Sequence, residues 1–434
     1  MGNKYASIMM LVCICMLTLS ACATGTASNS TSSSMLSTTN SGEDTASPNI
    51  SKEDSEDHET KLLTGYLGAS TYTTTNEGFY QVVSNPKGGC NIFYTDYSSN
   101  ETVYLCSQAN CLHNDDTCSS WFPTTTLQLF SSLDHDEIYY IESSKKGDQL
   151  WSMGRTGKDR QLLFQCSASE RILDAIAENE KYLYFSVTSI NVENGTQYKQ
   201  LLQLDITTGK TSKLLEFPVQ TWLFGAYNNT LLILYYDEPA FTYRTYDLHT
   251  QELNDVYSYN VDSDGQGAFA RPYADELYIF EPSGENKAIL SKMNIETHES
   301  KPLISNIEYW GANFISVSGF YDNYMSVFIT NPSDYSQTHY LIDWEAGEIY
   351  PINLEYPQGD ISVSVDIYAV ANERFVVNCG IKSQDIVLQN NDGSTYASQV
   401  DFMEYGLIKE MDYINNTFNV TRISWPQTNS STSN

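Results

Sequence analysis

The sequence predicts an all-β chain folded as a β-propeller of seven blades, and three observations carry the prediction. Helical periodicity over any useful length is absent. Short runs of Tyr, Phe, Leu, Ile and Val alternate with Asn, Asp, Gly, Ser and Pro, the pattern of strands joined by turns. The runs also recur in units of about 45 residues, the size of a four-stranded propeller blade.

One recurring element is a turn that ends a strand. Asp205-Ile206-Thr207-Thr208-Gly209 aligns with Asp247 to Gln251, Asn294 to His298 and Asp343 to Gly347, at spacings of 42, 47 and 49 residues. An Asp or Asn opening a tight turn accepts N–H bonds from residues ahead of it, which fixes the reversal. The other element is a turn followed by a strongly apolar strand, as in Asn179 to Phe185, Asn228 to Leu234, Ala274 to Phe280 and Asp322 to Phe328. Together with Asn76 to Val83, His135 to Ile141 and Asn372 to Val377, it gives seven strand starts, near residues 76, 135, 179, 228, 274, 322 and 372. Their intervals of 59, 44, 49, 46, 48 and 50 residues suit one blade each. A solenoid needs shorter units, and a string of sandwiches needs about 100 residues per domain. The long first interval and the irregular last unit keep six and eight blades as alternatives.

A closed ring must join its first and last blades, or two sheet edges stay open. Tyr405 to Lys409 and Phe418 to Ile423 read as a final outer hairpin, and Tyr66 to Thr74 is the candidate strand to complete the last blade.

Ahead of the repeats, Met1 to Lys4 is basic, Ile8 to Leu19 is apolar, and Leu19-Ser20-Ala21-Cys22 follows. These are the parts of a secretory signal, and the apolar run falls short of the roughly 20 residues that span a bilayer. The tetrapeptide resembles the lipobox of bacterial lipoproteins. That resemblance implies cleavage before Cys22 and a diacylglycerol on its thiol; with palmitate-like chains added, the anchor holds where one chain is marginal. The segment from Ala23 to Thr60 is rich in Ser, Thr, Asn and Gly and then acidic, so it reads as a disordered tether. A flexible coil of that length has a mean reach of roughly 30 to 40 Å. The expected organisation is therefore a signal peptide over 1–21, a lipidated cysteine and linker over 22–60, the propeller over 61–425 and a disordered tail over 426–434. The expected location is the extracytoplasmic face of the cell membrane.

Twenty-three basic residues against 54 acidic ones give a net charge of -31. So acidic a chain is a poor partner for nucleic acid, whose binding rests on phosphate neutralisation. No Gly-x-Ser-x-Gly, His-Glu-x-x-His or phosphate-cradling glycine loop is present, so no nucleophile motif is carried. Asp262-x-Asp264-Gly265 lacks the downstream ligand of a calcium loop and reads as a surface turn.

The one segment with chemistry in it runs from Cys106 to Cys118, with the spacing Cys106-x4-Cys111-x-His113-x4-Cys118. Three thiolates and an imidazole so close in sequence can close a tetrahedral structural zinc site. Disulfides are the competing reading, natural outside the cell membrane. If Asn91 to Asp96 and Glu101 to Cys106 form a hairpin, Cys90 lies beside Cys106, and Cys90–Cys106 with Cys111–Cys118 becomes the pairing. Either way the segment staples a loop on the first blade. Cys166 and Cys379, alone in strand-like runs, read as small buried residues.

Leu105 through Cys118, followed by Trp121-Phe122, resembles a segment of β-propeller lipoproteins of Gram-positive anaerobes, in the TolB-like and WD40-like propeller superfamily. Tyr405 to Asn415 is similar to the end of the same proteins. The resemblance implies architecture and location, and no substrate or active site comes with it. The expected function is non-catalytic binding of a small molecule, glycan or envelope protein by a membrane-anchored ring. The alternative is a carbohydrate-active hydrolase or lyase using carboxylates gathered at one mouth of the ring.

Overall fold

A computed structural model describes residues 59–63, 71–85, 87–124, 127–132, 135–172, 175–190, 197–218, 220–389 and 395–425. The signal peptide, Cys22, the linker up to residue 58 and the tail from 426 lie outside the described residues. The rest builds seven antiparallel blades of a β-propeller. Their first strands are Tyr72–Thr74, Leu127–Ser131, Ala177–Glu178, Thr221–Tyr227, Phe269–Tyr273, Ile315–Tyr321 and Ile367–Val370. Four neighbouring pairs of these strands touch directly, so the first strands form the inner wall of the ring.

Second strands begin at Gly78, Glu137, Tyr182, Thr230, Glu276, Tyr324 and Arg374, two or three residues past the seven expected starts. Their apolar runs are continuous, not alternating, because both faces of a blade are buried. In blade 4, Leu231 and Ile233 pack with blade 3, while Leu232 and Leu234 pack with blade 5. In blade 5, Leu277 and Ile279 face blade 4, while Tyr278 and Phe280 face blade 6. Each such side chain, when fully buried, contributes about 1.5 to 3 kcal/mol. Replacing one by a charged residue would strand that charge between two sheets.

The expected turn chemistry is present. Asp247 Oδ1 accepts the N–H groups of His249 (2.8 Å) and Thr250 (2.7 Å), and Asn294 Oδ1 accepts those of Glu296 and Thr297. Asp343 does the same for Glu345 and Ala346, and Asp205 Oδ1 accepts the N–H of Thr208. In all four turns the fifth residue (Gly209, Gln251, His298, Gly347) takes a positive φ and donates back to the carbonyl of the first. Asp262 likewise accepts from Asp264 and Gln266, as a surface turn would.

Ring closure departs from expectation. Tyr72–Thr74 does not complete the last blade: it pairs with Gln81, Tyr80 and Phe79 as the first strand of blade 1. Blade 7 supplies its own four strands, ending in Thr421–Arg422 against Gly406 and Leu407, so the expected outer hairpin is there. Closure is made by packing, with Phe79 and Tyr97 of blade 1 against Ala369, Val376 and Leu407 of blade 7. A parallel bridge from Glu101 to Ser424 and a bond from Arg374 Nη2 to the Tyr97 carbonyl (3.1 Å) reinforce it.

Before blade 1, Lys61–Leu62 adds to the inner edge of blade 3, facing Glu178 and Ala177. Thr60, placed at the end of the expected tether, is already fully buried, and its N–H donates to the Asn228 carbonyl at 2.6 Å. Among the described residues no helix is long and apolar enough to cross a membrane.

Candidate metal centre and an unpaired acid beside the inner wall

The long first interval of the sequence has a structural cause, an insertion in the outer strand of blade 1. That strand is split. Glu101–Tyr104 pairs with Phe93 to Asp96, and Trp121–Phe122 pairs with Cys90 and Asn91 of the same neighbour. Residues 106–119 leave the sheet between the halves and return. The return limb is tied down by side chains: Ser119 Oγ donates to the Leu105 carbonyl and Ser120 Oγ to that of Ile92, both at 2.7 Å. Arg160 of blade 2 clamps it from outside, donating to the carbonyls of Ser119 (2.6 Å) and Trp121 (3.2 Å) and lying 3.7 Å over the Phe122 ring.

Inside this loop the ligand atoms of Cys106, Cys111, His113 and Cys118 all lie within 4.8 Å of one another. It is the one such group of three or more Cys, His, Asp and Glu side chains among the described residues. Tetrahedral zinc with thiolates at about 2.3 Å sets its sulfurs about 3.8 Å apart, so the four donors close on an ion with sub-ångström shifts. His113 holds its place by a left-handed backbone (φ 54°) and by stacking on Tyr104, centroids 3.9 Å apart and nearly parallel. Its Nδ1 lies 3.3 Å from Cys118 Sγ.

Burial lowers the His113 pKa, which favours the neutral imidazole a metal needs. Burial raises the Cys106 thiol's pKa, but the Gln108 N–H and the thiols of Cys118 and Cys111 outweigh it and hold that thiol below its ordinary value. Cys118, more deeply placed, is pushed up by burial to about 12.

Two residues the sequence reading missed support the centre. The amides of Asn85 and Asn91, both buried, donate to the His113 carbonyl at 2.7 and 3.0 Å, and Asn85 also donates to Asn91 Oδ1. Such outer partners orient a ligand side chain. No sequence motif marks them, since each is a strand-end polar residue like many others.

The disulfide pairing is not formed. The six described cysteines are free thiols. The expected hairpin exists, with Phe93 opposite Tyr104, but the strand leaves the sheet after Leu105, so Cys90 faces Phe122 and not Cys106. Cys90 is packed with Tyr80, Ile92, Leu105 and Phe122, and burial pushes its thiol up to about 12. Cys166 and Cys379 are buried, as expected of small core residues.

A second constellation, absent from the sequence reading, lies where blades 6, 7 and 1 meet. Asp366 stands one residue before the first strand of blade 7, and burial raises its carboxyl to about 6. No neighbouring charge contributes to that shift. Its Oδ1 is buried without a hydrogen-bond partner. By contrast Glu178, fully buried on the inner strand of blade 3, accepts from Ser132 Oγ at 2.9 and 3.0 Å.

No family model matches the chain, and no curated protein matches it. Solved structures are similar in fold. A puromycin hydrolase S511A mutant is 10% identical, with 79% of this chain and 59% of that one covered and a TM-score of 0.46. An oligogalacturonate lyase from Vibrio parahaemolyticus is 9% identical over 79% and 90% of the two chains, with a TM-score of 0.46. TolB from Acinetobacter baumannii is 12% identical over 77% and 80%, with a TM-score of 0.32. These are likenesses of fold alone. The chain spans little more than half the length of the puromycin hydrolase.

Proposed function

We propose that this chain is an exported lipoprotein, anchored through Cys22, whose propeller binds a small molecule, glycan or envelope protein without transforming it. In this reading Cys106, Cys111, His113 and Cys118 hold a structural zinc ion that staples the outer edge of blade 1. The observation that carries it is the mutual approach of those four ligand atoms within 4.8 Å. Four protein donors leave no open position for water or substrate, so the ion would fix a loop and not catalyse. Nucleic acid is no partner of so acidic a surface. The lipobox-like tetrapeptide and the Ser/Thr-rich segment behind it support the anchor.

A hydrolase or lyase is the second reading, and Asp366 is the observation that favours it, as an acid raised toward neutrality. Glycoside cleavage needs a second carboxylate about 5 to 10 Å away. No other carboxylate contributes to the shift of Asp366.

Metal analysis of the purified mature protein tests the staple. One zinc per chain is expected, lost in Cys118→Ala; a metal-free protein whose cysteines resist alkylation until reduced would refute it. For the anchor, radiolabelled palmitate should enter the wild-type chain and not Cys22→Ala.

A further inference from the structure

The backbone around Asp366 is held at four consecutive places by side chains from three other parts of the fold. Asn378 Nδ2 donates to the Ser364 carbonyl (2.9 Å), and Tyr413 Oη donates to that of Val365 (2.7 Å). The Asp366 N–H donates to Asn378 Oδ1 (2.5 Å), and Tyr321 Oη donates to the Ile367 carbonyl (2.6 Å). Asn378 and Tyr413 are themselves buried. All of this fixes the main chain, yet no described residue donates a hydrogen bond to the carboxyl group, and no Lys or Arg affects it. An acid desolvated without a partner opposes folding. A fold that rigidly holds such an acid, without neutralising it, has the form of a site whose partner comes from outside.

The surroundings say what kind of partner. Tyr72 of blade 1 and Tyr368 of blade 7 stand edge to face, with centroids 5.3 Å apart. Tyr321 comes from the first strand of blade 6 and Tyr413 from the short helix Glu410–Ile414, and Tyr356 lies on the hairpin before blade 7. Burial first, and the charge of Asp366 after it, raise the phenol pKa of Tyr72 and Tyr413. Tyr368, Tyr321 and Tyr356 are raised by burial and also feel that charge. These five phenols are the titratable groups that face the carboxyl from the packed elements, and all are neutral near pH 7.

We propose that Asp366 is the anionic anchor of a site for an organic cation, whose ammonium group pairs with the carboxylate and packs against the tyrosine rings. Aromatic faces beside a carboxylate suit an alkylammonium group, which is weakly hydrated and gains from the ring quadrupoles. A hard metal ion needs several oxygen ligands, and the only cluster of three or more Cys, His, Asp and Glu among the described residues is the one on blade 1. Asp366 is partly exposed as a residue, although its Oδ1 is buried. The net charge of -31 would draw cations toward the ring.

This inference names a ligand class for the binding reading and rests on it. Its test is calorimetric titration of the mature chain with choline and with the neutral isostere 3,3-dimethylbutan-1-ol at pH 7.5. Choline should bind saturably and at least tenfold more tightly than the alcohol, and its affinity should drop at least tenfold at pH 4.5. Asp366→Asn should weaken choline binding at least tenfold while leaving the melting temperature unchanged or higher. Equal binding of the two probes, no saturable choline binding, or an Asp366→Asn variant that melts lower would each overturn the proposal. Saturable binding of neutral glycans unaffected by Asp366→Asn would also overturn it, while leaving the propeller a binding module.

Discussion

Arg160→Ala cuts the tie between blade 2 and the returning limb of the metal loop. The guanidinium donates to the carbonyls of Gly157 (3.3 Å), Ser119 (2.6 Å) and Trp121 (3.2 Å), and it covers Phe122 at 3.7 Å. Truncation leaves at least the Ser119 and Trp121 carbonyls without that donor, at about 1 kcal/mol each for half-buried groups. The lost ring contact adds about 1 kcal/mol, so the expected cost is about 3 kcal/mol. At about 2 °C per kcal/mol for a large domain, the melting temperature should fall by about 6 °C. Trp121–Phe122 also sets the position of Cys118, three residues upstream. Loosening it should weaken zinc binding at least tenfold, the range seen for outer-shell supports.

Melting followed by circular dichroism gives the first quantity, and competition with a chromogenic chelator gives the second. A double-mutant cycle with Cys118→Ala then decides whether the clamp and the staple act on one loop. Coupling of about 0.5 to 3 kcal/mol is expected for residues sharing an element. Additive effects, or an Arg160→Ala variant within 0.5 kcal/mol of wild type, would refute the picture of a loop held from both ends.

Two further perturbations probe buried titratable groups. His339 is buried, stacked on Phe328 and bonded through Nε2 to Ser326 Oγ, and burial lowers its pKa to about 4. Because the unfolded chain binds that proton more readily, His339 removes about 3 kcal/mol of stability as pH falls from 6.5 to 4. Asp366 acts with the opposite sign: with a folded pKa of about 6, the native state takes its proton first, and stability is gained as pH falls through 6 toward 4. Denaturant titrations should therefore show Asp366→Asn losing stability on acidification faster than wild type, and His339→Gln losing it more slowly. A pH-independent offset in either variant would show that the group is not titrating as described.

Gly319→Ala addresses the support of Asp366. A Cβ there would stand 2.6 Å from Cζ and Oη of Tyr321, so the ring must shift, which is expected to cost its bond to the Ile367 carbonyl. Overpacking and the lost bond together should cost about 2 to 4 kcal/mol, read as a lower unfolding midpoint. A midpoint within 0.5 kcal/mol of wild type would mean that Tyr321 does not hold that strand.

Much of the fold was legible along the chain because its determinants are local. Asp205, Asp247, Asn294 and Asp343 cap their turns with bonds to residues two or three positions ahead, so a spacing in the sequence is a distance in the fold. The Cys106 to Cys118 segment was legible for the same reason, since its four donors fall within one loop. Closure was not. Whether Tyr72–Thr74 joins the first or the last blade depends on which edge it meets in the ring, and a strand of three residues fits either.

The sequence by itself determined a repeat of blade-sized strand-and-turn units, because Asp- and Asn-headed turns recur at spacings of 42, 47 and 49 residues. It also determined that three cysteines and a histidine would share one loop. Tertiary structure alone decided that Cys90 would face Phe122, since that followed from where the outer strand of blade 1 leaves its sheet. It alone singled out Asp366 among 54 acidic residues. What sets that carboxyl apart is supplied by Tyr72, Tyr321, Asn378 and Tyr413, residues scattered along the chain that only the closing of the ring brings together.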